Sequence, residues 1–305
     1  MNAKSVIVPP ARVAVIGLGN MGVPMGACLV RASYSVAGFD AAESARQRFA
    51  ASGGEVAGTL ATAVSAADLV ITILPNGKIV RDVVSAMRAH LRPGCVIVDM
   101  SSSDPVGTRT LGNELLRAKF EFADAPVSGG VKRAADGSLA IMVGGTTATI
   151  DRIQPVLSAM GRVIFRTGAL GSGHAMKALN NYVSAAGLVA AVEAIAIGRK
   201  FGLDPVLMTD ILNASSGRNN TTEVKLKPFI LSETFNAGFP LRLMAKDVRT
   251  ANDLAHAVGV AAPLADACAD LWDAAARDLP EAADHTAVGR YLAKLPVRAA
   301  SKRGP

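Results

Sequence analysis

A run of small and β-branched apolar residues, Val13-Ala14-Val15-Ile16, passes directly into Gly17-Leu18-Gly19-Asn20-Met21-Gly22 and then into a helix-like stretch ending near Arg31. Few short patterns restrict a chain so strongly. A strand, a glycine turn and a helix in immediate succession form the first βα unit of a doubly wound parallel sheet. The first glycine permits the sharp turn, the second lets backbone approach a pyrophosphate, and the third lets the helix pack closely on the strand. The helix start offers free N–H groups and the positive end of its dipole to the phosphates. The next strand pattern ends in Asp40, at the spacing where a carboxylate meets the adenosine ribose hydroxyls. Gly17, Leu18, Gly19, Asn20, Met21, Gly22 and Asp40 are therefore the expected cofactor-binding residues. The Asp40 charge repels a 2′-phosphate and favours NAD, while Arg46 and Arg48 close by keep NADP open.

From Arg12 to about Met160 short apolar runs alternate with helical patterns. Strands are expected at 13–17, 35–40, 68–74, 95–100, 120–126, 141–145 and 162–168. Most are nearly continuous apolar runs, as in parallel strands covered on both faces. After Gly171-Ser172-Gly173 no strand pattern returns, and helices are broken at Gly202, Asp204-Pro205, Ser215-Ser216-Gly217, Pro228, Gly238, Gly259 and Pro263. The expected fold is α/β: an N-terminal Rossmann-type doubly wound parallel sheet over 1–170, then an all-α domain over 171–305, joined by a long interdomain helix. That helix, from about His174 to Lys200, is roughly 40 Å long at 1.5 Å per residue. It is apolar on almost all sides between Ala185 and Ile197, which predicts burial within its domain or against another subunit.

Composition narrows the function classes. With 305 residues, 50% hydrophobic and 19% charged, the chain has material for about two domains and is not a disordered one. No uninterrupted apolar run reaches about 18 residues, so no membrane partner is expected. The start lacks the pattern of a secretory signal, and a cytoplasmic location is expected. Cys28, Cys95 and Cys268 have no ligand spacing, which predicts free thiols and no metal site. The net charge of +7 is partly the tail from Arg298 to Lys302-Arg303, which reads as a loose solvated end, and the rest is scattered without interleaved aromatics. Small anions, rather than nucleic acid, are the expected partners.

The later motifs lie at strand ends, where a doubly wound sheet lines its ligand crevice. Leu74-Pro75-Asn76 and the hydroxyl-rich Asp99-Met100-Ser101-Ser102-Ser103 follow two strands. Asp124-Ala125-Pro126-Val127-Ser128-Gly129-Gly130 follows another, and its glycine amides form a concavity suited to a carboxylate. Taken alone, the first two read more readily as ordinary loops, and the third equally as a bare turn. Gly171-x-Gly173-x-x-x-Lys177-x-x-Asn180-Asn181 opens the long helix, with Lys177 and Asn181 four apart on one face. A lysine entering an apolar helix is costly unless its head meets an anion, a cavity or water. A lysine so placed suits proton exchange with an alcohol or carbonyl oxygen, although a snorkelling helix-end lysine has the same pattern. Lys246, in Met244-Ala245-Lys246-Asp247, is open to the same two readings.

Taken together, GLGNMG, LPN, DMSSSDP, DAPVSGG, GSGHAMKALNN and LMAKD resemble, in order and spacing, the β-hydroxyacid dehydrogenase family. The resemblance covers nearly the whole chain and implies a cofactor-binding first domain, an all-helical second domain and a homodimer or homotetramer. It implies Lys177 as the catalytic lysine, Ser128, Gly129 and Gly130 as the substrate-carboxylate segment, and Asn181 as a substrate-orienting amide. Leu74, Pro75, Asn76 and Ser102 fall at cofactor positions, and Lys246 falls where a lysine reaches toward the nicotinamide. Phe239 and the 215–225 loop are candidates for shaping the substrate pocket. Lys132 and Arg133, just past the glycines, depart from the family's pattern. The expected activity is NAD(P)-dependent interconversion of a small 3-hydroxy carboxylic acid, of 3-hydroxyisobutyrate or glycerate/threonate type, and its semialdehyde or keto acid. The alternatives are a non-catalytic dinucleotide sensor or scaffold, and a reductase of a different carbonyl or imine on the same fold. A decarboxylating sugar-acid phosphate dehydrogenase fits less well, because the helical part is short for one.

Overall fold

Successive residues of the first strands point into two different apolar layers. In the computed structural model, which describes residues 5–296, β1 (Arg12–Ile16) sends Val13 and Val15 into one layer and Ala14 and Ile16 into the other. After β2 (Ser35–Phe39) and β3 (Glu55–Val56), the same alternation recurs in β4 (Leu69–Thr72) and β5 (Val96–Asp99). With both faces covered, period-two patterning disappears and continuous apolar runs result. β6 (Glu121–Asp124), β7 (Val127–Ser128), β8 (Leu139–Gly144) and β9 (Gly161–Gly168) complete the sheet, in the order β3-β2-β1-β4-β5-β6-β8-β7, with β9 paired to β8.

The doubly wound sheet is mostly, not wholly, parallel. β1 through β6 pair in parallel, but β8 runs antiparallel to β6 and β7, while β8 and β9 are parallel to each other. An apolar run carries no mark of its direction, so this reversal was not readable. The two-residue strands β3 and β7 are too short to show a pattern.

The chain divides into two compact units, Met1–Leu179 and Asn180–Pro305, so the break falls inside the long helix Ser172–Phe201 rather than before it. The second unit is helical, with Pro205–Ala214, Asn220–Val224, Leu241–Ala257, Pro263–Asp278 and Val288–Lys294 following the long helix. Asp204 caps the first of these through the Leu207 N–H, with Pro205 at the first helical position, and Asn219 caps the next in a reciprocal box with Thr222. Trp272, fully buried, sits in a core with Leu188, Leu226, Met244 and Val248. Pro228 does not break the chain as expected but lies within a π-helical turn, Leu226–Leu231.

Within its own chain the long helix is only partly buried. Ala185, Leu188, Ala191 and Ile195 enter the core, yet Val183, Ile197 and Phe201 remain 68%, 70% and 85% exposed. By length and composition this helix is apolar enough to cross a membrane, with 39% of the qualifying window buried. The tail at 298–303 lies outside the described residues.

Candidate active site

The three glycines of the first turn are needed for different reasons. Gly17 has φ +100°, and a Cβ on it would stand 2.2 Å from the Ile73 carbonyl oxygen. A Cβ on Gly22 would stand 1.9 Å from the Gly17 carbonyl oxygen. Both are demanded by the fold. Gly19 is exposed and a Cβ there would meet nothing within 4 Å, so the space above it is left to something other than the protein. Met21, before the helix Gly22–Arg31, makes no side-chain capping bond, so the first N–H groups of the helix lack a side-chain acceptor.

Asp40 ties this turn to the end of β2. Its Oδ2 accepts the Leu18 N–H at 2.8 Å and its Oδ1 the Ala42 N–H at 2.8 Å. The Leu18 side chain is fully buried and its amide is already used, whereas Asn20 is exposed. Arg46 donates to the Asp40 and Ala41 carbonyl oxygens at 2.6 and 3.2 Å, and Arg48 is exposed. An uncapped helix start, an open glycine and a held carboxylate fit the pyrophosphate and ribose of a dinucleotide.

The neighbouring strand ends are braced around Asp99, which is buried. It accepts from Thr72 Oγ1 (2.9 Å), the Ser101 N–H (3.0 Å) and Ser103 Oγ (2.6 Å). The Leu74 N–H donates to Ser101 Oγ at 2.9 Å, and Asn76 caps the helix Gly77–Met87 through the Ile79 N–H. Pro75 is exposed and Ser102 half-buried on this rim.

The lysine helix is seated on a second buried carboxylate. Asp124, at the end of β6, accepts the Gly171 N–H (2.7 Å) and the His174 N–H (2.8 Å). Burial pushes its carboxyl above the usual range, against the pull of His174 and these amides. Thr108 gives its hydroxyl hydrogen to the Asp104 carbonyl, so it accepts from His174 Nδ1 at 2.8 Å, while Nε2 lies 3.6 Å from Asp99 Oδ2. Lys177, half-buried, projects one turn after His174. Asp99, Asp124 and His174 were not singled out from sequence; the signals were Asp99 and Asp124, each at the head of a strand-end motif.

Ser128 ends β7 half-buried, and Gly129 and Gly130 follow with φ +134° and +70°, both exposed. Lys132 and Arg133 are exposed beyond them. In the second unit Asn181 is buried and donates to Asp247 Oδ2 at 2.5 Å, while Lys246 pairs with Asp247 Oδ1 at 3.0 Å. Asp247 thus holds two expected site residues and had itself been read only as part of a motif. Phe239 stands edge-on to His285 at 5.8 Å, and its N–H reaches Asp284 Oδ2 at 3.0 Å. Burial would raise the Asp284 carboxyl, but hydrogen bonds from His285 and Thr286 pull it well below the ordinary carboxylate range. Among the described residues no three metal-ligating side chains assemble. A cavity of about 610 Å³ lies near the N-terminal end of β1, away from all these groups. Its Arg92 and Arg152 are already paired with Asp68 and Glu121, so it offers no free anion site.

Residues 12–168 match the family model described as the NAD binding domain of 6-phosphogluconate dehydrogenase. Residues 171–292 match the one described as NAD-binding of NADP-dependent 3-hydroxyisobutyrate dehydrogenase. The chain belongs to the β-hydroxyacid dehydrogenase family. Among relatives in the family, 2-(hydroxymethyl)glutarate dehydrogenase of Eubacterium barkeri is 36% identical, over 83% of this chain and 85% of that protein. An NAD-dependent L-serine dehydrogenase of Pseudomonas aeruginosa is 33% identical, over 86% and 91%. The solved 3-hydroxyisobutyrate dehydrogenase of Mycobacterium tuberculosis with L-serine superposes with a TM-score of 0.86 at 37% identity, covering 92% of this chain and 99% of that one. As a member of this family the protein is a nicotinamide-dependent oxidoreductase of hydroxy acids.

Proposed function

We propose that the protein oxidises the C3 carbinol of a short 3-hydroxy carboxylic acid, of 3-hydroxyisobutyrate or glycerate/threonate type, to the semialdehyde or keto acid, reversibly and with Lys177 as general acid–base. The observation that carries the reading is the seat of Lys177. Its helix start is fastened by two hydrogen bonds to the buried Asp124, so the lysine is presented from a rigid base. One turn later on the same helix stands Asn181, locked by Asp247, in the role of a substrate-orienting amide. Relatives named for 3-hydroxyisobutyrate, 2-(hydroxymethyl)glutarate and L-serine all carry a hydroxyl two bonds from the carbon that bears the carboxyl, or its equivalent, which supports this substrate class.

Bound NAD supplies the hydride acceptor. The chain's own part is to move the proton: Lys177 Nζ, as the free amine, accepts the hydroxyl proton while the carbinol is oxidised. In the reverse direction its ammonium returns that proton to the carbonyl oxygen. Ser128 and the Gly129 and Gly130 amides would hold the substrate carboxylate, and Lys246 would face the nicotinamide side. Asp40 supports NAD as the preferred cofactor, with Arg46 leaving room for NADP.

A homodimer or homotetramer would cover Val183, Ile197 and Phe201, which is the reading we favour for the exposed apolar side of the long helix. Three free, buried thiols suit a reducing cytoplasm. Turnover of Lys177→Ala should fall by about 10²–10⁴ on 3-hydroxyisobutyrate, glycerate, threonate or serine, whichever the wild type uses best, while NADH titration by fluorescence stays near wild type. Full turnover by the variant would reject the assignment.

A further inference from the structure

One lysine of the 215–225 segment that the sequence did not single out is drawn into the second unit with no charged contact among the described residues. Lys225 lies between the helix Asn220–Val224 and the π-helical turn Leu226–Leu231 and is half-buried. Its Nζ donates to Ser184 Oγ at 3.4 Å, a long bond to a neutral acceptor. Burial lowers its pKa, while the more distant Asp284 works in the opposite direction. Asp284 is not free to pair with it. Its Oδ2 accepts the Gly238 and Phe239 N–H groups, and its Oδ1 the Thr286 N–H and hydroxyl, with His285 Nδ1 at 3.2 Å. A half-buried ammonium whose near neighbour is a neutral hydroxyl gains from an anionic partner.

The position gives that anion an identity. Ser184 lies three residues after Asn181 and seven after Lys177, so helical periodicity puts all three on one stripe of the long helix. From Asn181 to Ser184 the rise is about 4.5 Å, within the reach of a short carbon chain. Phe239, fastened by Asp284, belongs to the same neighbourhood. π-helical turns recur at functional sites, and this one starts at the residue after Lys225.

We propose that Lys225 is a substrate-specificity residue whose ammonium, beside Ser184, receives a second anionic group at the end of the substrate remote from the reacting hydroxyl. The preferred substrate is then a hydroxy dicarboxylate rather than a monocarboxylate. This inference rests on the hydroxy acid reading above and narrows it.

A matched pair of probes tests it: 3-hydroxyisobutyrate and 2-(hydroxymethyl)glutarate, which differ in carrying a methyl or a carboxyethyl arm on the same carbon. The wild type should favour the dicarboxylate in kcat/KM. Lys225→Gln should raise KM for the dicarboxylate about 10- to 100-fold with kcat little changed, as loss of a charge-assisted hydrogen bond does. The same variant should leave the monocarboxylate within about threefold, a bound set below the smallest expected loss on the dicarboxylate, and Lys225→Arg should restore most of the preference. NADH titration and the unfolding midpoint of each variant report whether the fold survives. Equal losses on both acids, or no loss on the dicarboxylate, overturn the role of Lys225 and leave the hydroxy acid reading standing. Failure of the wild type to oxidise either acid, or glycerate, threonate or serine, with NADH bound, overturns both.

Discussion

Two of the glycine junctions at which the first unit turns from strand to helix are used in opposite ways. At Gly17–Gly22 the helix start has no side-chain cap, and Gly19 faces open space. At Gly171–Gly173 the arriving N–H groups are taken by the buried Asp124, and a Cβ on Gly173 would stand 2.2 Å from the Met142 carbonyl oxygen. The first junction leaves its helix start without a side-chain cap, beside the amide of Leu18 that Asp40 holds. The second closes its amides on the protein and so holds still a side chain one turn further on, Lys177. Glycines in a short motif therefore report close packing; whether they also report an anion site depends on what accepts the amides.

That contrast can be broken in measurable ways. The largest effect is expected at Gly22→Ala, where the new Cβ would press on the Gly17 carbonyl. About 4 kcal/mol or more should be lost, seen as a collapse of the unfolding midpoint or of soluble yield. Asp124→Ala should follow. It strands two buried amides at about 1–3 kcal/mol each, and should lower both the midpoint and turnover. Gly19→Ala should do the reverse of Gly22→Ala, leaving the midpoint unchanged while NADH affinity falls about tenfold, or 1.4 kcal/mol.

The smallest effect concerns pH. Because burial raises the Asp124 carboxyl, the native state binds its proton more readily than the unfolded chain, and this group's contribution is complete below about pH 4. It diminishes as pH rises through the raised native value. The stability of wild type relative to Asp124→Asn, from urea titrations at several pH values, should therefore decline as pH rises above about 4. A difference that grew with pH would show Asp124 to be stabilised as the anion.

Much of this was legible because it is local. The strands β1, β2, β4, β5 and β6 announce themselves as apolar runs bounded by glycine, proline or aspartate, and the order of motifs named the family. Lys177 and Asn181 were readable because a helix turns a spacing of four into a shared face. Asp99, Asp124 and His174 were not, since their association joins strand ends to a helix start across some 50 or more residues of chain in the case of Asp124 and His174. Lys225 was hidden inside the 215–225 loop for the same reason: only the packing of that segment onto Ser184 separates it from the exposed lysine two residues on, Lys227.

By itself, the sequence determined the strand–glycine–helix unit and the two-part architecture, both consequences of short-range sterics and of which side chains avoid water. Tertiary structure decided the reversal of β8 and β9, the exposure of Val183, Ile197 and Phe201, and the buried carboxylate under the lysine helix. Strand direction, helix-face exposure and the partners of a buried charge depend on what lies opposite in space. An apolar run or a lone aspartate is compatible with several such surroundings, and the energy of burial selects among them only once the chain has closed.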